Sequence, residues 1–386
     1  MPVRSSVESE PPSPDARITA LYHIGGSETE ALKTAELICL DQTVEASDEI
    51  VTPALRRRIV GRVEEFRTRS PGGYEARISY TVDLIGRHLA DLLNLLFGTS
   101  SLRPGVRLVS WELPDSVLSQ WRGPRFGLEG LRDLTGIRDR PLVCAVLKPL
   151  GRSPQELADL ATEFVLGGVD LIKDDQGLVD QSFCPFNERI ARCADAALTA
   201  AAQRGRPCPY LAHISGPLDV MKARASLAKK RGAGGLLVAP GLTGFDALRS
   251  LAEDESLALP IASHPALLGS YAIHPDQGIA PAALYGQLPR LAGADLSIYP
   301  GYRTGYAMMK DDCAALARTC RAAWRHIRPI APTAAGRIGA SDIPEFVSFY
   351  GRDVVFILGS RIQKDPLGLM TATQHFVREL HRYTGA

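Results

Sequence analysis

Three charged residues, Lys173, Asp174 and Asp175, stand at the end of an apolar run that passes through Val169, Leu171 and Ile172. A buried strand interior does not tolerate such charges unpaired, so the run reads as a strand that stops there. Side chains alternate along a strand, which sends Lys173 and Asp175 to one side, where they can converge on one ligand or metal. A solvated turn after an ordinary strand is the alternative on these residues alone.

Other polar residues stand at the ends of similar runs: Lys148, His213 with Ser215, His264, Tyr299 with Arg303, Thr333 to Arg337, and Gly359-Ser360-Arg361. Each alone is weak, because a lone histidine is more often a satisfied structural residue than a catalyst. The elements that carry them make the argument. From about Pro141, apolar or β-branched runs recur every 25 to 35 residues: Leu142 to Lys148, Val169 to Lys173, Tyr210 to Ile214, Gly235 to Ala239, Leu259 to Ser263, Asp295 to Tyr299, Ile327 to Ala331 and Asp353 to Leu358. Helical patterns separate them; Ser153-Pro154 opens one that Gly167-Gly168 closes, and Ser341-Asp342-Ile343-Pro344 opens another that Gly351 stops. Eight βα units point to a TIM barrel, and no G-x-G-x-x-G follows the first strand to favour an open doubly wound sheet. In a barrel the polar residues above gather at the C-terminal ends of the strands. There, Ala334-Ala335-Gly336-Arg337 and Leu358-Gly359-Ser360-Arg361 combine small residues with a guanidinium, which suits a phosphate on backbone N–H groups; two ordinary turns are the other reading.

The chain has 386 residues, 45% hydrophobic and 23% charged, enough apolar material for a barrel plus a smaller domain. A net charge of +1 leaves no uniform field for nucleic acid or an anionic membrane, so any phosphate preference is local. The seven cysteines have no C-x-x-C spacing, which fits a reducing cytoplasm, and no apolar run reaches the roughly 18 residues of a membrane span. We expect a flexible Pro/Ser/Glu-rich tail over residues 1–16, an α+β domain over 17–138 and the barrel over 139–386. In the α+β domain, strands are expected at Arg17 to Tyr22 and Tyr74 to Val82 and a helix at Ala90 to Phe97; Asn94 lies within that helix, where capping or a satisfied buried amide is its ordinary role.

Gly167 to Gly177 (GGVDLIKDDQG), with Gln181-Ser182-Phe183 and Pro185-Phe186-Asn187-Glu188-Arg189, resembles the metal-site motif of the RuBisCO large-chain superfamily. Leu147-Lys148-Pro149, Tyr210 to Gly216, Gly241-Leu242-Thr243-Gly244-Phe245 and Leu93 to Gly98 resemble four further motifs of that superfamily, in order. The resemblance implies a C-terminal TIM (β/α)8 barrel behind a smaller N-terminal α+β, ferredoxin-like domain. It implies Mg2+ held by a carbamylated Lys173 and by Asp175, a proton-handling Lys148, an active-site His264, and phosphate loops that include Ala335, Gly336, Arg337, Gly359 and Ser360, with Arg303 nearby. Asn94, Asp41 and Thr43 match residues that reach a neighbouring subunit's site, so a homodimer with shared active sites is implied.

The departures matter as much. Gln176 stands where the superfamily has a glutamate ligand, and a neutral amide oxygen binds a hard cation more weakly. Ala239-Pro240 replaces a histidine and an aspartate, Pro265 replaces an arginine, and Tyr299 to Met309 lacks the lysine that orients CO2 in the carboxylases. The chain is thereby identified as a RuBisCO-like protein (form IV) and not as a ribulose bisphosphate carboxylase. The methionine-salvage enolases place a lysine base where this chain has Asn94. The expectation is therefore a cytoplasmic enzyme of metal-stabilised enolate chemistry, favoured as a lyase, 3-oxo-isoapionate 4-phosphate decarboxylase. The alternatives are 5-methylthioribulose 1-phosphate isomerase, a methionine-salvage enolase, or a catalytically silent binding protein.

Overall fold

The computed structural model describes residues 16–306 and 308–385. The tail expected at residues 1–16 therefore lies, apart from Ala16, outside the described residues. In chain order the strands are β1 (Arg17–Ile24), β2 (Arg62–Thr68), β3 (Tyr74–Thr81), β4 (Val106–Glu112), β5 (Leu142–Leu147), β6 (Leu171–Asp174), β7 (Tyr210–His213), β8 (Gly235–Val238), β9 (Ile261–Ser263), β10 (Gly278–Ile279), β11 (Leu296–Pro300), β12 (Ala331–Ala335) and β13 (Val355–Leu358). The chain divides into two compact units: one runs to Arg122 and includes His274–Ala283, and the other holds Gly123–Ile273 and the residues from Leu284 on.

The first unit carries a sheet of order β10-β4-β1-β3-β2. The β4-β1-β3-β2 core is antiparallel, and helices Glu28–Asp41 and Leu89–Phe97 fall between its first and second and its third and fourth strands, the ferredoxin-like arrangement. Every second residue of β1 is buried, Ile18, Ala20, Tyr22 and Ile24, so one face of the sheet makes the core. The two-residue β10 joins this sheet in parallel with β4, an excursion by a distant segment that no local pattern announces.

The second unit is a closed barrel of eight parallel strands in the order β11-β12-β13-β5-β6-β7-β8-β9. Inward residues of successive strands, among them Leu142, Cys144, Val146, Leu171, Leu211, Leu237, Leu296, Ile298, Val355 and Ile357, form one apolar cluster. Helix Gly127–Thr135, expected with the first domain, adds Leu128 and Leu131 to that cluster, which is why the division falls at Arg122.

One expected strand is displaced. Ile327 to Ala331 was the apolar run of the seventh unit, yet β12 starts at Ala331, pairing with Leu296 of β11. The carbonyls of Ile327 and Arg328 accept from the buried Arg290 guanidinium, so that stretch is held by a side chain, and a strand cannot use its carbonyls for pairing as well. The N-terminal ends of the strands are fixed by similar commitments. Arg140 and Asp170, both fully buried, share two hydrogen bonds of 2.7 and 2.8 Å, and Asp170 also accepts the Val143 N–H. Asp295 accepts the N–H groups of Phe126, Gly127 and Ile261. Ser153 caps the helix that Ser153-Pro154 was expected to open, and does so in a reciprocal box: its hydroxyl accepts the Glu156 N–H at 3.3 Å and the Glu156 carboxylate accepts the Ser153 N–H at 2.8 Å.

Candidate active site

The alternation that fills the barrel with apolar side chains also delivers polar ones to its C-terminal end. Val146 of β5 is followed two residues on by Lys148, Leu171 of β6 by Lys173 and Asp175, Ala262 of β9 by His264, and Ile357 of β13 by Gly359. All these polar or small residues line one cavity of about 730 Å3, whose floor includes Val146, Ile298 and Ile357. Gln176, Ala335, Gly336, Arg337 and Ser360 line it too, so ten of the residues singled out in the sequence are brought together.

Lys173 is 3% exposed, and its ammonium donates to the Asp174 carbonyl at 3.0 Å. Burial pushes its pKa down from the ordinary lysine value, and the charge of Lys148 adds to that, against the pull of Asp175 and Asp174. Asp175 spends one carboxylate oxygen on the Gly177 N–H at 3.0 Å. Asp174, the residue between, faces the other way and is fully committed: it accepts from Arg189, from the Tyr210 hydroxyl at 2.7 Å and from the His213 N–H at 3.0 Å. This in-out-in pattern is the alternation read from the sequence.

His264 has a defined tautomer. Its Nδ1 lies 3.2 Å from the Ala266 N–H and must accept it, so the neutral ring carries its proton on Nε2. Desolvation, with the Lys173 charge second, pushes its pKa down to about 2, so the imidazole is a neutral donor across the working pH range. His213 and Ser215 prove structural: His213 Nδ1 donates to the Leu178 carbonyl at 2.8 Å, Nε2 lies 2.8 Å from the Ser215 hydroxyl, and that oxygen accepts the Ala239 N–H at 2.9 Å. Neither lines the cavity.

Gly336 has φ +134°, and a Cβ there would sit 1.8 Å from Thr304 Cγ2, so only glycine fits against the loop that follows β11. A Cβ at Gly359 would lie 3.1 Å from the Lys148 ammonium, so its absence leaves room for that head. Arg303 and Arg361 do not reach the cavity. Arg303 is held by Asp342 and Glu345 at 3.0 and 2.9 Å, and Arg361 by Asp342, Ser341 and the Arg337 carbonyl. Asn94, Asp41 and Thr43 belong to the first unit and are not among the lining residues. Asp41 pairs with Arg103, the Thr43 hydroxyl donates to the Cys39 carbonyl, and Asn94 is exposed in the single chain.

Sequence reasoning missed the apolar side of the cavity: Leu267, Ile273, Tyr306 and Met308 line it, the first three being 59%, 59% and 72% exposed. The available signal was an apolar loop, Ala266-Leu267-Leu268 and Tyr271-Ala272-Ile273, where barrel loops are usually polar. Leu267 and Arg337 also hold positive φ, 68° and 48°, a strain on the order of 1–3 kcal/mol each that clusters at such rims.

As a metal donor set, the site supplies the Asp175 carboxylate, the Gln176 amide oxygen and Lys173; among the described residues no three His, Cys, Asp or Glu side chains group as metal ligands. An amine offers no oxygen to a hard cation, whereas a carbamate on Lys173 raises the set to three oxygen donors, two of them anionic. That matches Mg2+, which keeps waters and takes one or two carboxylates.

Residues 127–374 match the family "Ribulose bisphosphate carboxylase large chain, catalytic domain". The chain is 36% identical over 369 residues to ribulose bisphosphate carboxylase-like protein 1 of Rhodopseudomonas palustris, covering 95% of this chain and 96% of that one. It is 35% identical to the 5-methylthioribulose-1-phosphate isomerase of Rhodospirillum rubrum, over 94% and 95% of the two chains. The crystal structure of a Rubisco-like protein from Rhodopseudomonas palustris superposes with a TM-score of 0.87 at 37% identity, covering 96% of this chain and 99% of the other. The protein thus belongs to the ribulose bisphosphate carboxylase large-chain family, as a RuBisCO-like protein.

Proposed function

We propose that the protein is an enzyme that forms an enolate on a singly phosphorylated ketose ending in a short apolar group, and that isomerisation of 5-methylthioribulose 1-phosphate is its reaction. The observation that carries this reading is the mixed lining of the cavity. It combines glycine and serine loops and Arg337 with the apolar side chains of Leu267, Ile273, Tyr306 and Met308. Charge points the same way. The lining cations are Lys148, Lys173 and Arg337 and the lining anion is Asp175, a surplus of two that a phosphate dianion balances. Carbamylation of Lys173 with one Mg2+ leaves the same surplus. A phosphorylated keto acid would bring one negative charge more than the site offsets, which moves the decarboxylase expected from the sequence into second place. A carboxylase is disfavoured too, because Pro265 stands where the resemblance places the arginine for a second phosphate.

The residues divide the work by chemistry. The Arg337 guanidinium and the N–H groups around Gly336 and Gly359 hold the phosphate. Lys148 carries the proton at the reacting carbon, and His264, neutral with Nε2–H, donates to a substrate oxygen as charge develops there. Carbamylated Lys173, Asp175 and Gln176 would hold Mg2+, which supplies positive charge next to the carbonyl and so lowers the cost of the enolate. The homodimer with shared sites belongs to this reading as well.

The test is NMR of the purified protein with Mg2+ and bicarbonate in D2O. With 5-methylthioribulose 1-phosphate, conversion to an isomer with exchange of a carbon-bound proton is expected. CO2 release from 3-oxo-isoapionate 4-phosphate without any change of the ketose would overturn the isomerase, and no turnover or Mg2+ binding in either arm would favour a silent binding protein.

A further inference from the structure

Two guanidiniums placed by the sequence near the phosphate loops are consumed by one carboxylate. Asp342 ends a short turn, Ala340–Asp342, just before helix Ile343–Tyr350, and its side chain is 8% exposed. The sequence marks it as a helix start, yet the carboxylate caps no helical N–H. One of its oxygens accepts from Arg303 at 3.0 Å; the other accepts the Gly339 N–H at 2.9 Å and Arg361. These partners come from three different connections. Arg303 follows β11, Gly339 follows β12, and Arg361 follows β13. Each connection lines the cavity, through Thr304, through Gly336 and Arg337, and through Gly359 and Ser360. Arg361 closes the triangle by donating to the Arg337 carbonyl at 3.0 Å. Gly339 is what admits it, since a Cβ there would lie 2.6 Å from the Arg361 Nε.

We infer that Asp342 is a positioning residue for the anion subsite: it ties the three loops together and keeps Arg303 and Arg361 off the ligand, so that Arg337 is the guanidinium presented to the phosphate. The inference rests on the phosphate reading of these loops. Losing the carboxylate frees Arg361 and lets the loops bearing Gly336 and Gly359 separate, which weakens convergent N–H contacts without touching Lys148 or Lys173.

The experiment measures inorganic phosphate binding by calorimetry in the full-length protein and in Asp342→Asn, Arg361→Met and the double variant, with thermal melting of each. In Asp342→Asn, phosphate should bind roughly tenfold or more weakly, the loss typical of a charge-assisted contact, with KM for the phosphorylated substrate raised by a similar factor and kcat changed far less. Arg361→Met should reproduce much of the loss, and the double variant should fall short of the two losses combined because the residues act as a unit. If Asp342→Asn does not fold, Arg361→Met, whose side chain is 46% exposed, carries the test alone. Unchanged phosphate affinity in the folded variants, with the parent protein binding phosphate, overturns the positioning role and leaves the phosphate reading intact. Absence of phosphate binding to the parent overturns both.

Discussion

The two ends of the barrel use the same residue types to opposite purposes. At the N-terminal end of the strands, Arg140, Asp170, Arg290 and Asp295 are almost completely buried, and each makes two or more hydrogen bonds that pin backbone or a partner charge. At the C-terminal end, the head groups of Lys148, Gln176 and Arg337 line a cavity, and among the described residues no hydrogen bond holds them. These three head groups are half-buried or exposed and have no protein partner to give up, so this end, unlike the other, has side chains free to meet a ligand. Asp174 and Asp175 show the same contrast one residue apart: the first is enclosed by Arg189, Tyr210 and the His213 amide, and the second faces the cavity.

The strongest challenge to this contrast is Arg140→Met. It removes both Arg140 hydrogen bonds from the buried Asp170 and leaves that charge to Arg206 at 3.2 Å and the Val143 N–H, which should cost about 3 kcal/mol in chemical denaturation; a loss under 1 kcal/mol would show that the bottom of the barrel is not held by its ion pairs.

Lys173→Met tests the opposite end. Turnover with Mg2+ and bicarbonate should fall by roughly 10²-fold or more, because the carbamate that would complete the metal's donor set is lost, while the stability of the metal-free protein, in which Lys173 is an amine, should rise at neutral pH. The sign follows from linkage: burial lowers the lysine's pKa in the folded chain, so the unfolded chain binds the proton more tightly, and the penalty persists at every pH below the unfolded value, about 10.4. The variant's advantage in melting temperature should shrink as the pH approaches that value, and a variant less stable than the parent at pH 7 would give Lys173 a structural role.

His264→Gln should have the smallest effect. With a folded pKa of about 2 against an ordinary 6.5, His264 contributes stability that is complete above pH 6.5 and is lost as the pH falls below it. Urea denaturation at pH 7 and pH 5 should show a shallower acid loss in the variant, by up to ~1.4 kcal/mol per pH unit. Equal losses would mean that the folded ring takes up a proton in that window.

How much of this was legible in the chain depends on whether a residue's role is local. The barrel, its closing strand count and the shared direction of Lys173 and Asp175 follow from periodicity, which is local. The seventh strand was misplaced because Ile327 and Ile330 look like a strand, whereas the Arg290 guanidinium that claims this stretch's carbonyls comes from 37 positions away. Arg303 and Arg361 read as ligand groups for the same reason: a guanidinium's partner is not written beside it, and Asp342 lies 39 and 19 positions off. The His213 and Ser215 pair failed as a site because its partners, the Leu178 carbonyl that accepts from His213 and the Ala239 N–H that donates to Ser215, belong to neighbouring connections. The β10 excursion into the first unit's sheet was invisible, since two residues carry no period.

Val146, Ile298 and Ile357 belong both to the apolar cluster of the barrel and to the floor of the cavity. Evolution cannot deepen this site for a bulkier substrate without removing atoms from the core, and each Ile→Val trimming there would lose about 0.5–1.5 kcal/mol of stability. Changes of the rim, at Leu267, Ile273 or Tyr306, carry no such penalty because those side chains are largely in solvent. Changes of substrate preference in this scaffold are therefore steered outward, toward the loops, because the floor shares its stability with the fold.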